Sequence, residues 1–261
     1  MMGYQALLLD RADGIATITM NRPEARNALN LTMREEMLGA LDELERDPAV
    51  RVVLLTGAGG HFSAGGDVKS MQKKHTAAEG RARVELLNRF VLRLFSFSKP
   101  TIAMVDGFAV GAGCNIALGC DMIVASDRAK FGEVFLKVGL VPDGGGTWLL
   151  QRLVGLAKAK EMVLTAEIID AAEALRIGLV NAVVPAGDLW ATTTELADEI
   201  AANAPLAVQA AKRAINGTYW REMGAWLEWE GAEAAPVLLS EDRIAGFQAG
   251  AQRKRAEFRG R

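Results

Sequence analysis

KPTIAMVDGFAVGAGCNIALGCDMIVASDRAKFGEVF, residues 99–135, holds three short apolar runs separated by a glycine-rich loop and a brief helical segment. The runs at 100–105 (PTIAMV), at 121–125 (DMIVA) and from 129–131 on toward Phe135 are short and largely apolar, the pattern of strands buried on both faces. Between the first two, the glycines cluster over 107–113, and 113–120 reads as a helix. This alternation of strand and helix requires right-handed crossovers, and hence an α/β domain with largely parallel sheets.

The flanking sequence extends the pattern. Residues 5–10 and 14–20 read as a strand pair joined by the turn Ala12-Asp13-Gly14, and 50–56 (VRVVLLT) reads as another buried strand, ended by Gly57. A helix is expected over 32–46, opened by Thr32 and Glu35 at capping-box spacing. A second is expected over 79–97, with Val84, Leu87, Phe90, Val91 and Leu94 on one face. From Trp148 onward the reading is almost wholly helical, at 158–165, 170–176, 188–203, 205–216, 220–234 and 240–249, with one short strand at 179–184. The shift near residue 195 is the best candidate for a subdomain boundary.

Composition narrows the function classes. The 261 residues carry 30 Lys+Arg against 32 Asp+Glu and are 50% apolar, which is ample for a core and leaves no basic field for nucleic acid. The basic tail, with Arg253, Lys254, Arg255, Arg259 and Arg261, reads as a solvated terminus. Two cysteines, Cys114 and Cys120, and two histidines, His61 and His75, make no metal-ligand set. Both thiols are expected buried and reduced, as in a cytoplasmic protein. The start, MMGYQALLLDRADG, has no signal-peptide pattern, and the apolar run at 107–120 falls short of the roughly 18 residues of a membrane span. A soluble protein is expected, with no nucleic-acid or membrane partner.

Three glycine clusters follow apolar strands: 57–60 leading to Gly65-Gly66, 107–113, and 144–146. One such cluster alone is read as a tight turn. Three beyond the carboxyl ends of strands imply close backbone approach to a ligand. Nucleotide-binding fingerprints are absent: GAGCNI at 111–116 lacks a third glycine, and no GK[ST] follows any loop. Ser63 lies in FSAGG rather than a nucleophile elbow, and Cys114 has no histidine partner in view. Backbone chemistry remains. Where Val110-Gly111-Ala112-Gly113 enters a helix, free N–H groups point outward, and Gly65-Gly66 supplies a second set. Two such donors on one carbonyl oxygen form an oxyanion hole, worth roughly 3 kcal/mol per donor as charge develops.

The segments HFSAGGDVKSM (61–71), residues 99–135, and KVGLVPDGGGTWLLQRLVG (137–155) closely resemble the crotonase, or enoyl-CoA hydratase/isomerase, superfamily, and the resemblance covers nearly the whole chain. It implies a spiral of ββα units over residues 1–195 and a helical C-terminal trimerisation region over 196–261, assembled as a homotrimer or hexamer. It places the two oxyanion donors on the N–H groups of Gly66 and Ala112, with Gly65, Asp67, Val68 and Gly111 beside them. Ala25, Arg26 and Ala64 match positions lining the coenzyme A path. An apolar aromatic position near the C-terminus is Gly250 here, and its basic neighbour is Arg253. The substrate implied is an acyl-CoA thioester, with no metal or redox cofactor, coenzyme A being part of the substrate.

The departures concern acid and base. The two glutamates that activate water in hydratases align with Asn115 and Phe135. Glu133 is expected to share a strand face with Phe135 but about 7 Å away, and reads as a solvated or structural carboxylate. Asp143, between apolar residues and a glycine loop, is expected to have a raised pKa suited to moving a proton near neutrality. Taken alone it is also a turn aspartate. PDGGGT at 142–147, with Asn115 and no glutamate at 135, resembles the branch of 1,2-epoxyphenylacetyl-CoA isomerases and Δ3,Δ2-enoyl-CoA isomerases, where the aspartate is the acid/base. An isomerase with Asp143, Gly66 and Ala112 as its catalytic groups is therefore expected. Three rivals stand beside it: a hydratase using Asp143 alone or a displaced Glu133, a dehalogenase-like enzyme with Asp143 as nucleophile, and an inactive acyl-CoA-binding homologue.

Overall fold

The computed structural model describes residues 3–67, 71, 76–217, 219–252 and 254–261. Its larger sheet has six strands in the order β1 (Leu7–Ala12), β2 (Ile15–Met20), β3 (Val52–Gly57), β4 (Thr101–Val105), β6 (Met122–Ser126), β9 (Ala182–Val184). Only β1 and β2 are antiparallel. The smaller sheet pairs β5 (Phe108–Val110) with β7 (Lys130–Gly132) in parallel, and β7 with β8 (Ile169–Asp170) antiparallel. The chain runs from the large sheet at β4 to the small one at β5, through helix α3 (Ala112–Leu118), then to β6 and β7 in turn. This is a ββα repeat, and the fold is the α/β spiral expected from the sequence.

The uninterrupted apolar character of β3 and β4 has a direct cause. Val53, Leu55, Ala103 and Val105 face one core, shared with Met37 and Leu41 of α1 (Leu31–Arg46) and Phe90 and Leu94 of α2 (Ala77–Phe95). Val52, Leu54, Ile102 and Met104 face the other, against Leu189 and Ala197 of α6 (Leu189–Ala201). Side chains alternate along a strand, so a sheet covered on both sides needs apolar residues at every position.

Three local expectations are corrected. Helix α1 is capped by Asn30, whose side chain accepts the Met33 N–H at 2.9 Å, and not by Thr32. The strand beginning near 129 ends at Gly132 instead of continuing to Phe135. Its neighbour β5 stops at Val110, and the chain then winds into a 3₁₀ helix, Val134–Val138, closed by Leu140 N–H on the Phe135 carbonyl at 3.0 Å. Helix α4 (Gly146–Thr165) begins well before 158, with a break at Gly155 (φ 78, ψ 159).

The rest of the chain is α5 (Ala171–Arg176), α7 (Pro205–Asn216), α8 (Tyr219–Leu238) and α9 (Glu241–Ala251). Residue 195 lies inside α6, which packs on the large sheet. Helix α8 lies along α2, and α9 lies on the 134–138 turn, so the C-terminal helices return to the loops beyond β5 and β7. Among the described residues no helix is long and apolar enough to cross a membrane.

Candidate active site

The loop after β3 is tied to β5. Ser63 N–H donates to the Phe108 carbonyl (2.8 Å), and the Ser63 carbonyl accepts the Val110 N–H (3.1 Å). Gly65 has φ +84, and a Cβ there would lie 2.6 Å from the Val110 carbonyl oxygen and 3.3 Å from the Ala112 nitrogen. No other residue type fits so close an approach. The Gly65-Gly66 turn is thereby packed against the Ala112 N–H at the start of α3. Among the described residues neither the Gly66 N–H nor the Ala112 N–H has an acceptor within the protein. Two neighbouring donors without partners can hold a developing oxyanion.

Asp143 sits on the loop leading into α4 and is tethered by three helices. Asn115 of α3 donates its side-chain amide to the Asp143 carbonyl at 2.6 Å. Asn88 of α2 accepts the Gly144 N–H at 3.3 Å. Glu230 of α8 accepts the N–H groups of Gly145 (2.8 Å) and Thr147 (3.1 Å) and the Thr147 hydroxyl, which itself accepts the Trp226 indole N–H at 2.8 Å. Glu230 thus serves as the cap that glycine at the N-cap of α4 cannot supply. A methyl at Gly146 would lie 2.4 Å from the Asn115 amide nitrogen, so the loop can close on Asn115 only with glycine there.

The Asp143 Oδ1 atom is shut off from solvent and, among the described residues, accepts no hydrogen bond. Burial pushes its pKa up to about 6, while the Arg34 guanidinium pulls the other way. Asp143 lines a small cavity with Arg34, Arg83, Arg243 and Met71. The Met71 sulfur is 3.0 Å from where a Gly66 Cβ would be, so this cavity adjoins the paired N–H groups.

Of the two expected readings of Glu133, solvated or structural, the solvated one is overturned. The residue is fully buried, and among the described residues neither carboxyl oxygen has a hydrogen-bond partner. Cys114 and Asn115 are its polar neighbours, and burial raises its pKa to about 8, with Glu230 and Asp143 adding to the rise. A carboxyl with a raised folded pKa stabilises the fold fully below its unfolded value, and that contribution is lost as pH climbs toward 8. Glu133→Gln is therefore expected to stabilise the protein, with a stability advantage that widens from about pH 5 to pH 8, reaches roughly 5 kcal/mol and levels off above that. A gap that stays constant with pH in thermal unfolding would contradict this origin.

Phe135 is buried, its ring 3.8 Å from where a Gly111 Cβ would lie. Asn115 is fully buried and engaged with the Asp143 loop. Ala25 ends a 3₁₀ turn, and Arg26 follows it in the left-handed region (φ 49), its guanidinium 5.7 Å from the Phe108 ring centre. The Arg26 carbonyl accepts the Ala64 N–H at 2.9 Å, so Ala25, Arg26 and Ala64 share one edge of the site. Asp67 is ion-paired with Arg22 at 2.9 Å. Val68 and Arg253 lie outside the described residues. Gly250 lies on α9, where a Cβ would meet Val138 at 3.8 Å.

The buried Cys114 and Cys120 thiols are free, and burial pushes both pKa values up, that of Cys120 to about 12. Neither is an activated nucleophile. Sequence reasoning missed Arg34, Arg243 and Glu230. Their only local signal is a charged residue at a position of the helical period otherwise facing the core.

A family profile described as enoyl-CoA hydratase/isomerase matches residues 10–261. A short-chain-enoyl-CoA hydratase of Clostridium acetobutylicum is 41% identical over 257 residues, 98% of each chain. A trans-2-decenoyl-[acyl-carrier-protein] isomerase of Streptococcus mutans is 32% identical over 100% of both chains. Among solved structures, an enoyl-CoA hydratase from Mycobacterium avium subsp. paratuberculosis matches with a TM-score of 0.89 and 33% identity, covering 98% of this chain and 100% of the other.

Proposed function

Because the chain belongs to the enoyl-CoA hydratase/isomerase family, the crotonase superfamily, we propose that it moves a double bond along an enoyl-CoA thioester, or opens a ring epoxide in a related one, with Asp143 as the single acid/base. The N–H groups of Gly66 and Ala112 hold the thioester carbonyl oxygen. The Asp143 carboxylate takes a proton from the carbon beside that carbonyl, and the negative charge spreads onto the held oxygen as a dienolate. The same carboxyl, now protonated, returns the proton two carbons farther along. Isomerisation adds no water, so one carboxyl is enough, and Phe135 helps keep water from the intermediate.

The observation behind this reading is the buried, unpartnered Oδ1 of Asp143 in a cavity adjoining the Gly66 peptide. Asn115 and Phe135, at the two hydratase glutamate positions, offer no carboxyl. We also infer a homotrimer or hexamer, which would cover Trp190, Leu206 and Ile215, all more than half exposed on α6 and α7. Light scattering reporting a monomer would overturn that assignment.

A hydratase is the second reading, favoured by the Clostridium relative's name and by the buried carboxyl of Glu133 near Asn115. Incubation with hex-3-enoyl-CoA and with crotonyl-CoA separates the two. Isomerisation creates conjugated-enoyl absorbance from the first thioester, whereas hydration removes it from the second. Fast loss with crotonyl-CoA, abolished by Glu133→Gln, would establish the hydratase instead. For the isomerase, kcat/KM is expected to fall about tenfold per unit below pH 6, as Asp143 takes up a proton, and to level off above it.

A further inference from the structure

The cavity beside Asp143 is lined by the apolar residues Val84, Leu238 and Leu239 and by Arg34, Arg83 and Arg243. Its volume is about 20 Å³, room for one or two polar atoms. Arg34 and Arg243 are 5% and 3% exposed. Each donates one guanidinium N–H to a main-chain carbonyl, Arg34 to Arg83 at 2.9 Å and Arg243 to Met71 at 2.7 Å. The buried Nε atom of each has, among the described residues, no acceptor. Among the described residues, neither guanidinium lies within 4.0 Å of a carboxylate.

Buried guanidinium groups normally sit against an anion, because their charge is costly away from water unless paired. Among the described residues Asp143 is the carboxyl lining the cavity, beside the buried guanidinium groups of Arg34 and Arg243, while Arg83 also feels the carboxylates of Asp67 and Glu79. Burial lowers the pKa of both Arg34 and Arg243; Asp143 opposes the fall at Arg34, and Arg83 adds to it at both. A planar acceptor pair is what fixed guanidinium forks recognise, and apolar walls strengthen that recognition.

We propose that this cavity is an anion subsite for a carboxylate at the far end of a short acyl chain, so that the preferred substrates are CoA thioesters of unsaturated dicarboxylic acids. The proposal rests on the acyl-CoA reading above and specifies its substrate class. Because the arginines border the same cavity as Asp143, the terminal carboxylate sits within a few bonds of the reacting carbons. An alkyl tail of equal length leaves the two Nε–H donors facing methylene groups.

Titration calorimetry with two saturated thioesters, adipyl-CoA and hexanoyl-CoA, tests this without turnover. Wild type is expected to bind adipyl-CoA at least about tenfold more tightly, the ratio expected from one charge-assisted contact. The ratio should fall below about twofold in Arg243→Gln and recover in part in Arg243→Lys, which keeps the charge and loses the fork. Equal affinities in wild type, or a ratio unchanged in both variants, would overturn the subsite while leaving the acyl-CoA reading intact. Failure to bind either thioester would overturn both.

Discussion

Replacing Asp143 with asparagine is expected to lower kcat on hex-3-enoyl-CoA about 10³-fold, within the range of roughly 10²–10⁴ for loss of a positioned acid/base, with little change in KM. The substitution preserves shape, and the tether from Asn115 binds the main-chain carbonyl at 143, which the variant retains. What disappears is an oxygen able to take a proton. The carboxyl titrates near 6 because burial disfavours its charged form, so above that pH the wild type holds an unwelcome negative charge. The amide carries none. Asp143→Asn should therefore match or exceed the wild-type Tm at pH 8, which separates a chemical defect from misfolding. Activity within tenfold of wild type would remove Asp143 from the mechanism.

Gly65→Ala should be the more damaging change. Its φ of +84 is strained for any residue with a Cβ, and the added methyl would lie 2.6 Å from the Val110 carbonyl oxygen. Relief requires the 63–66 loop and the start of α3 to separate, which parts the N–H groups of Gly66 and Ala112. A stability loss of about 2–4 kcal/mol is expected together with a 10²–10³-fold fall in kcat, the scale of losing one oxyanion donor. Gly39, exposed on α1 with nothing within 4 Å of its added Cβ, is the control. Gly39→Ala should raise stability by about 0.5–1 kcal/mol through helix propensity alone. Urea unfolding and turnover of the same three proteins would decide. Wild-type values for Gly65→Ala would mean the two loops do not cooperate.

The parts of the fold legible in the sequence are those dictated by short-range patterns. The turn at Asp13-Gly14 has positive φ at both residues (50 and 83), as a two-residue hairpin connection requires. Strands β3 and β4 were readable because burial on both faces removes polar residues altogether. Helix α1 was readable too, but not its first turn. Asn30 and Thr32 are both good caps, and the backbone path alone chooses between them. The end of β7 was hidden for a similar reason, since it depends on where a neighbouring strand stops.

At the site, the glycine loops and Asp143 were visible because each stands in a contiguous motif. The environment of Glu133 was not. One residue past a strand end, its direction follows from the turn into the 3₁₀ helix, and the alternation rule no longer applies. Arg34, Arg243 and Glu230 come from three different helices far apart in the chain. Nothing local reveals that they converge on one loop.

The anchoring of that loop has a consequence for biogenesis. Glu230 grips main-chain groups 83 and 85 residues earlier in the chain. During synthesis the ribosome must deliver nearly all of the polypeptide before this carboxyl can reach its partners. A nascent or prematurely terminated product that already has both sheets would still lack the anchor that fixes the Asp143 loop.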